Sequence, residues 1–416
     1  MKKLFALVLA CAMTLSLAAC GGGNGGTPST GSQGQNNPSS GGDAITIKVF
    51  SNLPDSTSGQ GLVEQTLFDA YMAENKNVTI EVETLDDEAY KTKFKAYASG
   101  SQMPDLVNVW GQPGFIDEVI EAGLLAELNP ADYDSDGFAN GSLTGFSSGG
   151  KLYGLARNTD IAVFFYNAKM FQDNGWSVPA TYDDLIALAG QIRAAGIEPV
   201  AMDGADKWPL AVFLTDLMQK IDGEGLMTKI HDSIAAKDYS DPTYTKACEL
   251  LQQAANAKVF QTGFETADYG TAQNLFTNGQ AAMFYMGSWE MSMANNPDIP
   301  ADIRDNIRVF TMPTVSGGKG TPTTISAWNG GGYAVSANGA QRDEAIKLLN
   351  FMFKPENWTK VAWENGVCMS AQDFSASATG KETEVQKQLM DIFANSTNIS
   401  GTPPQRHGHF PVQDRL

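Results

Sequence analysis

Seven tryptophans mark the chain, at positions 110, 176, 208, 289, 328, 358 and 363. An indole presents a flat apolar face, the kind of surface that covers the C–H face of a pyranose. Carboxylates, amides and arginine take the hydroxyl rim of such a ligand with directional hydrogen bonds. Trp110 follows the β-rich run Asp105–Val109, and Trp289 follows Ala281–Met286. Both sit just past the carboxyl end of an expected strand, where open α/β sheets place ligands. Trp208 precedes a helix-like segment, where a cleft residue and a packing anchor are both open readings. Trp328 and Asn329 precede three glycines, 330–332, which either allow close backbone approach to a ligand or simply turn the chain. Ser51, Asn52 and Asp55 follow the first strand, and Gln112 follows Trp110, again at the ligand edge. Arg157, Asn158 and Asp160 lie between two expected strands, open to a ligand or paired in salt bridges. Glu290 reaches either a hydroxyl or solvent. Trp363 is placed with Met369 at the far side of the site, and Trp176 and Trp358 read as packing.

Other chemistries find little support. The only histidines are His231, His407 and His409, and there is no HExxH, no GxSxG elbow and no P-loop. Abundant carboxylates leave open the pair that a secreted glycoside hydrolase needs. Asp132–Gly137 reproduces the first half of an EF-hand loop, but its twelfth position is Leu143 rather than Glu, so an acidic capping loop is the default. No metal and no cofactor is assigned. A formal net charge of −19 argues against nucleic acid as a partner. The body contains Cys248 and Cys368, expected as buried free thiols, with a disulfide between them left open.

These residues need a scaffold. Residues 1–19 read as an export signal, with Lys2 and Lys3 ahead of an apolar run. That run is shorter than the roughly 20 residues of a membrane-spanning helix. Leu17–Cys20 resembles a lipobox, which implies a lipid on Cys20. Residues 20–43 then form a polar, Gly- and Ser-rich tether. Beyond it, strands at 45–50, 78–82 and 105–109 alternate with helices at 61–74, 88–99 and 115–122, the pattern of an α/β layer with a largely parallel sheet. Strands at 152–155 and 161–166 are expected to face each other. Helices at 182–195, 210–220, 244–257 and 269–278, strands at 281–286, 307–311 and 332–335, and a helix at 342–353 complete the pattern.

Phe276–Met283 followed by Gly287-Ser288-Trp289 resembles the F-x-x-G-x-A-A-M and G-x-W signature of family 1 extracellular solute-binding proteins of bacterial ABC transporters, the maltose-binding-protein-like group. Pro104-Asp105 with Trp110 and Gly123–Leu128, Tyr153–Leu155 with Tyr166-Asn167, Pro179–Leu185, and Asp343–Phe351 match further family motifs in order. The resemblance implies a two-lobed periplasmic-binding-protein-like fold, each lobe a sheet flanked by helices, with lobe one at 44–158 plus 307–353 and lobe two at 159–306 plus 354–416. It implies a monomer that holds a carbohydrate in the cleft between lobes and delivers it to ABC permease subunits, and it implies no catalysis. Trp110 and Trp289 match its aromatic positions, but Gln112 and Pro113 stand where the maltose-binding protein has Asp and Arg, so those hydroxyl contacts do not carry over. A peptide or polyamine is the alternative ligand. The family's further C-terminal helix is not visible in the pattern.

Overall fold

The computed structural model describes residues 43–396 and 398–400, apart from 101, 134, 135, 140 and 224. The export signal, Cys20, nearly all of the tether, the tail from 401, and Asp134 and Ser135 of the acidic loop therefore lie outside the described residues.

The chain begins with β1 (Ile45–Ser51), β2 (Val78–Thr84) and β3 (Leu106–Trp110). These pair in parallel with β1 in the middle, so each return needs a long crossover, supplied by the helices Gly59–Glu74 and Asp87–Gly100. A small hairpin of β4 (Ser147–Ser148) and β5 (Lys151–Leu152) leads to β6 (Leu155–Ala156). Then come β7 (Asp160–Asn167), β8 (Glu198–Ala201), β9 (Ala281–Gly287), β10 (Ile307–Phe310), β11 (Thr324–Trp328), β12 (Gly331–Val335) and β13 (Asn398–Ser400). The first sheet runs β2-β1-β3-β12-β6. The second runs β13-β11-β7-β9-β8, with β10 also paired to β7.

The expected facing of 152–155 and 161–166 is corrected by this pairing. β6 joins β12 in the first sheet, whereas β7 lies in the second between β9 on one edge and β10 and β11 on the other. The reason is visible in β7 itself. Its run Ile161–Phe165 is apolar on both faces, the mark of a strand covered on both sides. Ala162 and Phe164 enter one core with Phe213, Tyr285 and Phe310. Ile161, Val163 and Phe165 enter another with Phe276, Met291 and Leu389. The Phe164 and Phe310 rings stack at 4.8 Å. A separate core covers the first sheet, from Ile47 and Phe50 to Tyr333 and Trp358.

β10 also moves a boundary. Ile307–Phe310 pairs with Asn167–Phe164, so the chain stays in the second sheet past the expected division at 307, until Trp328. The chain does possess a late helix, Glu384–Asn395. The Thr383 hydroxyl accepts from the Gln386 amide while the Gln386 side chain accepts from the Thr383 amide, a reciprocal cap. Val385, Leu389 and Phe393 then seat the helix on the second sheet. Cys248 is exposed rather than buried, and Cys368 is buried; both are free thiols. No helix among the described residues is long and apolar enough to cross a membrane.

Close approach of β12 to β6 requires glycine at 332, where a Cβ would stand 2.3 Å from the Leu155 carbonyl oxygen and 2.6 Å from the Phe146 ring. Gly332→Ala is expected to cost about 1–3 kcal/mol, read as a lower urea midpoint with an unchanged slope. A midpoint equal to wild type contradicts this packing.

Candidate functional site

Two short segments carry the chain between the sheets. Arg157–Thr159 links β6 to β7, and Asn329-Gly330 links β11 to β12. They are laced together: the Thr159 hydroxyl donates to Asn329 Oδ1 at 2.6 Å, the Arg157 amide to the Gly331 carbonyl at 2.9 Å, and the Gly111 amide to the Gly330 carbonyl at 3.1 Å. A third segment joins them, where the Thr159 amide donates to the Met369 carbonyl at 2.9 Å.

Buried charge gathers at this joint. Glu64, on the first helix, accepts from the Tyr333 hydroxyl at 2.6 Å and from the Ser51 hydroxyl at 3.0 Å. Burial pushes its carboxyl up to about 7, opposed by those two bonds and by the positive charge of Arg157. Asp160 opens β7, accepts from Asn158 Nδ2, and lies 3.4 Å from the Ser288 hydroxyl. Burial also pushes Asp160 up to about 7, against the pull of Asn158 and Arg157. Arg157 donates to Asn52 Oδ1 at 3.3 Å and lies 5.8 Å from the Tyr333 ring centre. Its Nε has no partner among the described residues. Arg157, Asn158 and Asp160 thus form a buried joint that ties first-sheet residues to the start of β7.

On the second sheet, four aromatic rings converge. Trp208 opens the helix Trp208–Asp222, Tyr269 opens Tyr269–Thr277, Trp289 follows β9, and Trp328 ends β11. Ring centres lie 6.3 Å apart for Trp208 and Tyr269, 6.0 Å for Trp208 and Trp289, and 6.0 Å for Trp289 and Trp328. All four residues are half-buried. The spacing Gly287-Ser288-Trp289 has a direct cause: the indole folds back over residue 287, where a Cβ would sit 2.0 Å from a ring carbon. Across from this group, Asn52 Nδ2 donates to Asp87 Oδ1 at 2.6 Å. Burial, then the charge and hydrogen bond of Glu290, hold the proton on the Tyr269 hydroxyl, with a smaller contribution from the Asp87 charge.

The candidate residues therefore divide. Trp208, Trp289 and Trp328 come together, with Asn329 beside them, and Asn52, Arg157, Asn158 and Asp160 adjoin. Trp110 does not join the cluster. It stands at the end of β3, edge-on to Tyr90 and Phe115, with the Lys91 ammonium 5.4 Å from its ring centre. Ser51 is fully buried and committed to Glu64. Asp55 is turned to local work, accepting from the Thr57 amide and hydroxyl just ahead of the first helix. Gln112 is exposed and its side chain makes no cap bond. Trp363 at the far side is corrected: it is 1% exposed and stacks on Phe374 at 4.5 Å, with Met369 in the same core. Trp358 and Trp176 pack against Phe353 and Phe171 respectively. Glu290 does not reach solvent; it is buried and accepts from Tyr269 and Gln273. Asp87 and Tyr269 were not read from the sequence. Their signal was weak, since each is only the first residue of a helix.

Two helix-flanked sheets joined by these crossings make a periplasmic-binding-protein-like fold. A structure from work on xylan utilization by Caldanaerobius polysaccharolyticus shares it at a TM-score of 0.78 and 25% identity, over 86% of this chain and 91% of that one. A chitin oligosaccharide binding protein matches at 0.76 and 22%, over 87% and 89%. The chain belongs to the bacterial extracellular solute-binding protein family, whose model matches residues 54–357. It is similar to an uncharacterized ABC transporter extracellular-binding protein of Pyrococcus horikoshii, 27% identical over 62% of this chain and 60% of that one. It is also similar to the multiple sugar-binding protein of Streptococcus mutans, 22% identical over 74% and 71%. The galactooligosaccharide-binding protein of Bacillus subtilis is 23% identical over 86% and 77%.

The joint has a pH signature. A carboxyl whose native pKa lies above its unfolded value stabilises the fold fully at low pH, and that contribution is lost as pH rises through the native value. For Glu64 and Asp160 the window runs from about 4 to about 7. Arg157→Met removes the cation that offsets both charges. Its stability deficit, from urea unfolding, is expected to be larger at pH 8 than at pH 5 by about 1–3 kcal/mol. Equal deficits at both values contradict the electrostatic role.

Proposed function

We propose that this chain is an extracellular, lipid-anchored binding protein that captures a carbohydrate between its two sheets and delivers it to an ABC importer. The observation that carries this reading is the convergence of Trp208, Tyr269, Trp289 and Trp328 beside the polar groups Asn52, Asp87, Arg157 and Asn329. Flat apolar rings next to directional donors and acceptors match the two chemistries of a sugar surface. Trp208 Nε1 and Arg157 Nε are buried without hydrogen-bond partners among the described residues. Hydroxyl groups of a ligand supply what such atoms lack. The sugar-binding names of the Streptococcus and Bacillus relatives point the same way.

In this reading one lobe is built on the first sheet and the other on the second, with Arg157–Thr159 and Asn329-Gly330 as hinge strands and closure trapping the ligand. Cys20 carries the lipid, residues 21–42 form the tether, the molecule acts as a monomer, and permease subunits receive the sugar. It is not an enzyme: the buried carboxylates Glu64, Asp160 and Glu290 are each held by internal hydrogen bonds, which leaves them poorly placed for the acid and base work of glycoside hydrolysis.

Calorimetry with xylotriose, chitotriose and raffinose tests the reading. At least one is expected to bind without being cleaved, and Trp289→Ala is expected to weaken that binding by about 30-fold or more. An unchanged Kd removes the stacking role, and cleavage of the sugar replaces the binder by an enzyme.

A further inference from the structure

The Trp289 indole is held from two sides. Behind it lies the bare backbone of Gly287, which leaves no room for a side chain. Its Nε1–H donates to the Tyr269 hydroxyl oxygen at 2.7 Å. That hydroxyl has one proton of its own, which it donates to Glu290 Oε1. The second carboxylate oxygen, Oε2, accepts from Gln273 Nε2 at 2.7 Å.

The direction of each bond is forced. An indole nitrogen only donates, so Tyr269 must accept from it. Tyr269 then has to turn its own proton away from Trp289, and Glu290 supplies the acceptor that draws it. Glu290 is 5% exposed, and a buried carboxylate is tolerated only when its oxygens are satisfied. Tyr269 and Gln273 satisfy them from successive turns of one helix, Tyr269–Thr277. The chain of bonds fixes the ring plane of Trp289 with respect to that helix.

We propose that Tyr269, Glu290 and Gln273 are positioning residues that lock the Trp289 indole in the orientation in which it receives a sugar ring. This rests on the carbohydrate reading for its ligand, but not for the lock itself. A ring already held in place loses little rotational freedom on binding, so the lock raises affinity without touching the sugar. Glu290, adjacent to the platform in sequence, works through Tyr269 and not as a hydroxyl acceptor.

The test uses two readouts on the full-length protein. The first is nuclear magnetic resonance of the 15N-labelled indoles, which follows the shift and hydrogen exchange of the Trp289 Nε1–H. The second is calorimetry with the tightest binder among xylotriose, chitotriose and raffinose. In Tyr269→Phe the Trp289 N–H is expected to shift and to exchange at least about tenfold faster, and Kd to rise about five- to tenfold. Glu290→Ala is expected to reproduce both changes. Glu290→Gln, whose amide oxygen can still accept from Tyr269, is expected to stay within about threefold of wild type. Thermal melting identifies any variant that fails to fold, in which case the other two variants decide. An unchanged Trp289 signal in Tyr269→Phe and Glu290→Ala overturns the lock. So does a weakened Kd with an unchanged signal, since Tyr269 then contacts the sugar directly. If none of the three sugars binds wild type, the carbohydrate reading fails, while the indole signal still decides the lock.

Discussion

Charge buried where the chain passes between two sheets is the constraint that organises this molecule. Two sheets built from interleaved parts of one chain require crossings, and crossing segments leave the ladders that would satisfy their backbone groups. Here the crossings are satisfied by one another and by the first sheet, through Thr159 with Asn329, Arg157 with Gly331, and Gly111 with Gly330. Glu64 and Asp160 bring carboxyls into the same region, and the single guanidinium of Arg157 offsets both. Such a cluster is a poor source of net stability compared with an apolar core. Its value is directional, because polar partners fix the two crossings in one register.

The aromatic group depends on that register. Trp328 is the last residue of β11, opposite Asp160 in the ladder, and only Asn329 and Gly330 separate it from β12. Trp289 follows Ser288, whose hydroxyl accepts from the Ile161 amide at 3.2 Å and also lies near Asp160. Trp289 and Trp328 are therefore connected to the crossings through two backbone steps and one buried carboxyl. The remaining rings, Trp208 and Tyr269, are each delivered by a helix start after β8. Aromatic rings gathered from four separate elements have no sequence-local reason to meet; the second sheet brings them together.

Much of this was legible before the structure. The strand–helix alternation from Ile45 onward gave the first sheet, and the ordered motifs around Trp110, Trp289 and Asp343 gave the family. The apolar runs at 161–166 and 281–286 gave the two central strands of the second sheet. The pairing of those strands was not legible, because a run that is apolar on both faces does not say which neighbours it takes. β8 was missed for its length of four residues. The helix Glu384–Asn395 is announced in the sequence only by Thr383 and Gln386 at capping-box spacing. At the site, Trp328 stood out only for the glycines after it, and strand-end positions put Trp289 beside the other rings but Trp110 apart from them. Neither signal was a guide to Trp363, whose burial depends on Phe374 and on that unseen helix. Asp87 and Tyr269 enter only through three-dimensional neighbours.

A crystal structure of the protein with a bound oligosaccharide tests the central claim most directly. The account predicts a pyranose lying flat on the Trp289 indole between the two sheets, with hydroxyls bonded to Asn52, Asp87 or Arg157. A sugar bound away from the crossings, with Trp208, Trp289 and Trp328 still packed on one another, contradicts it.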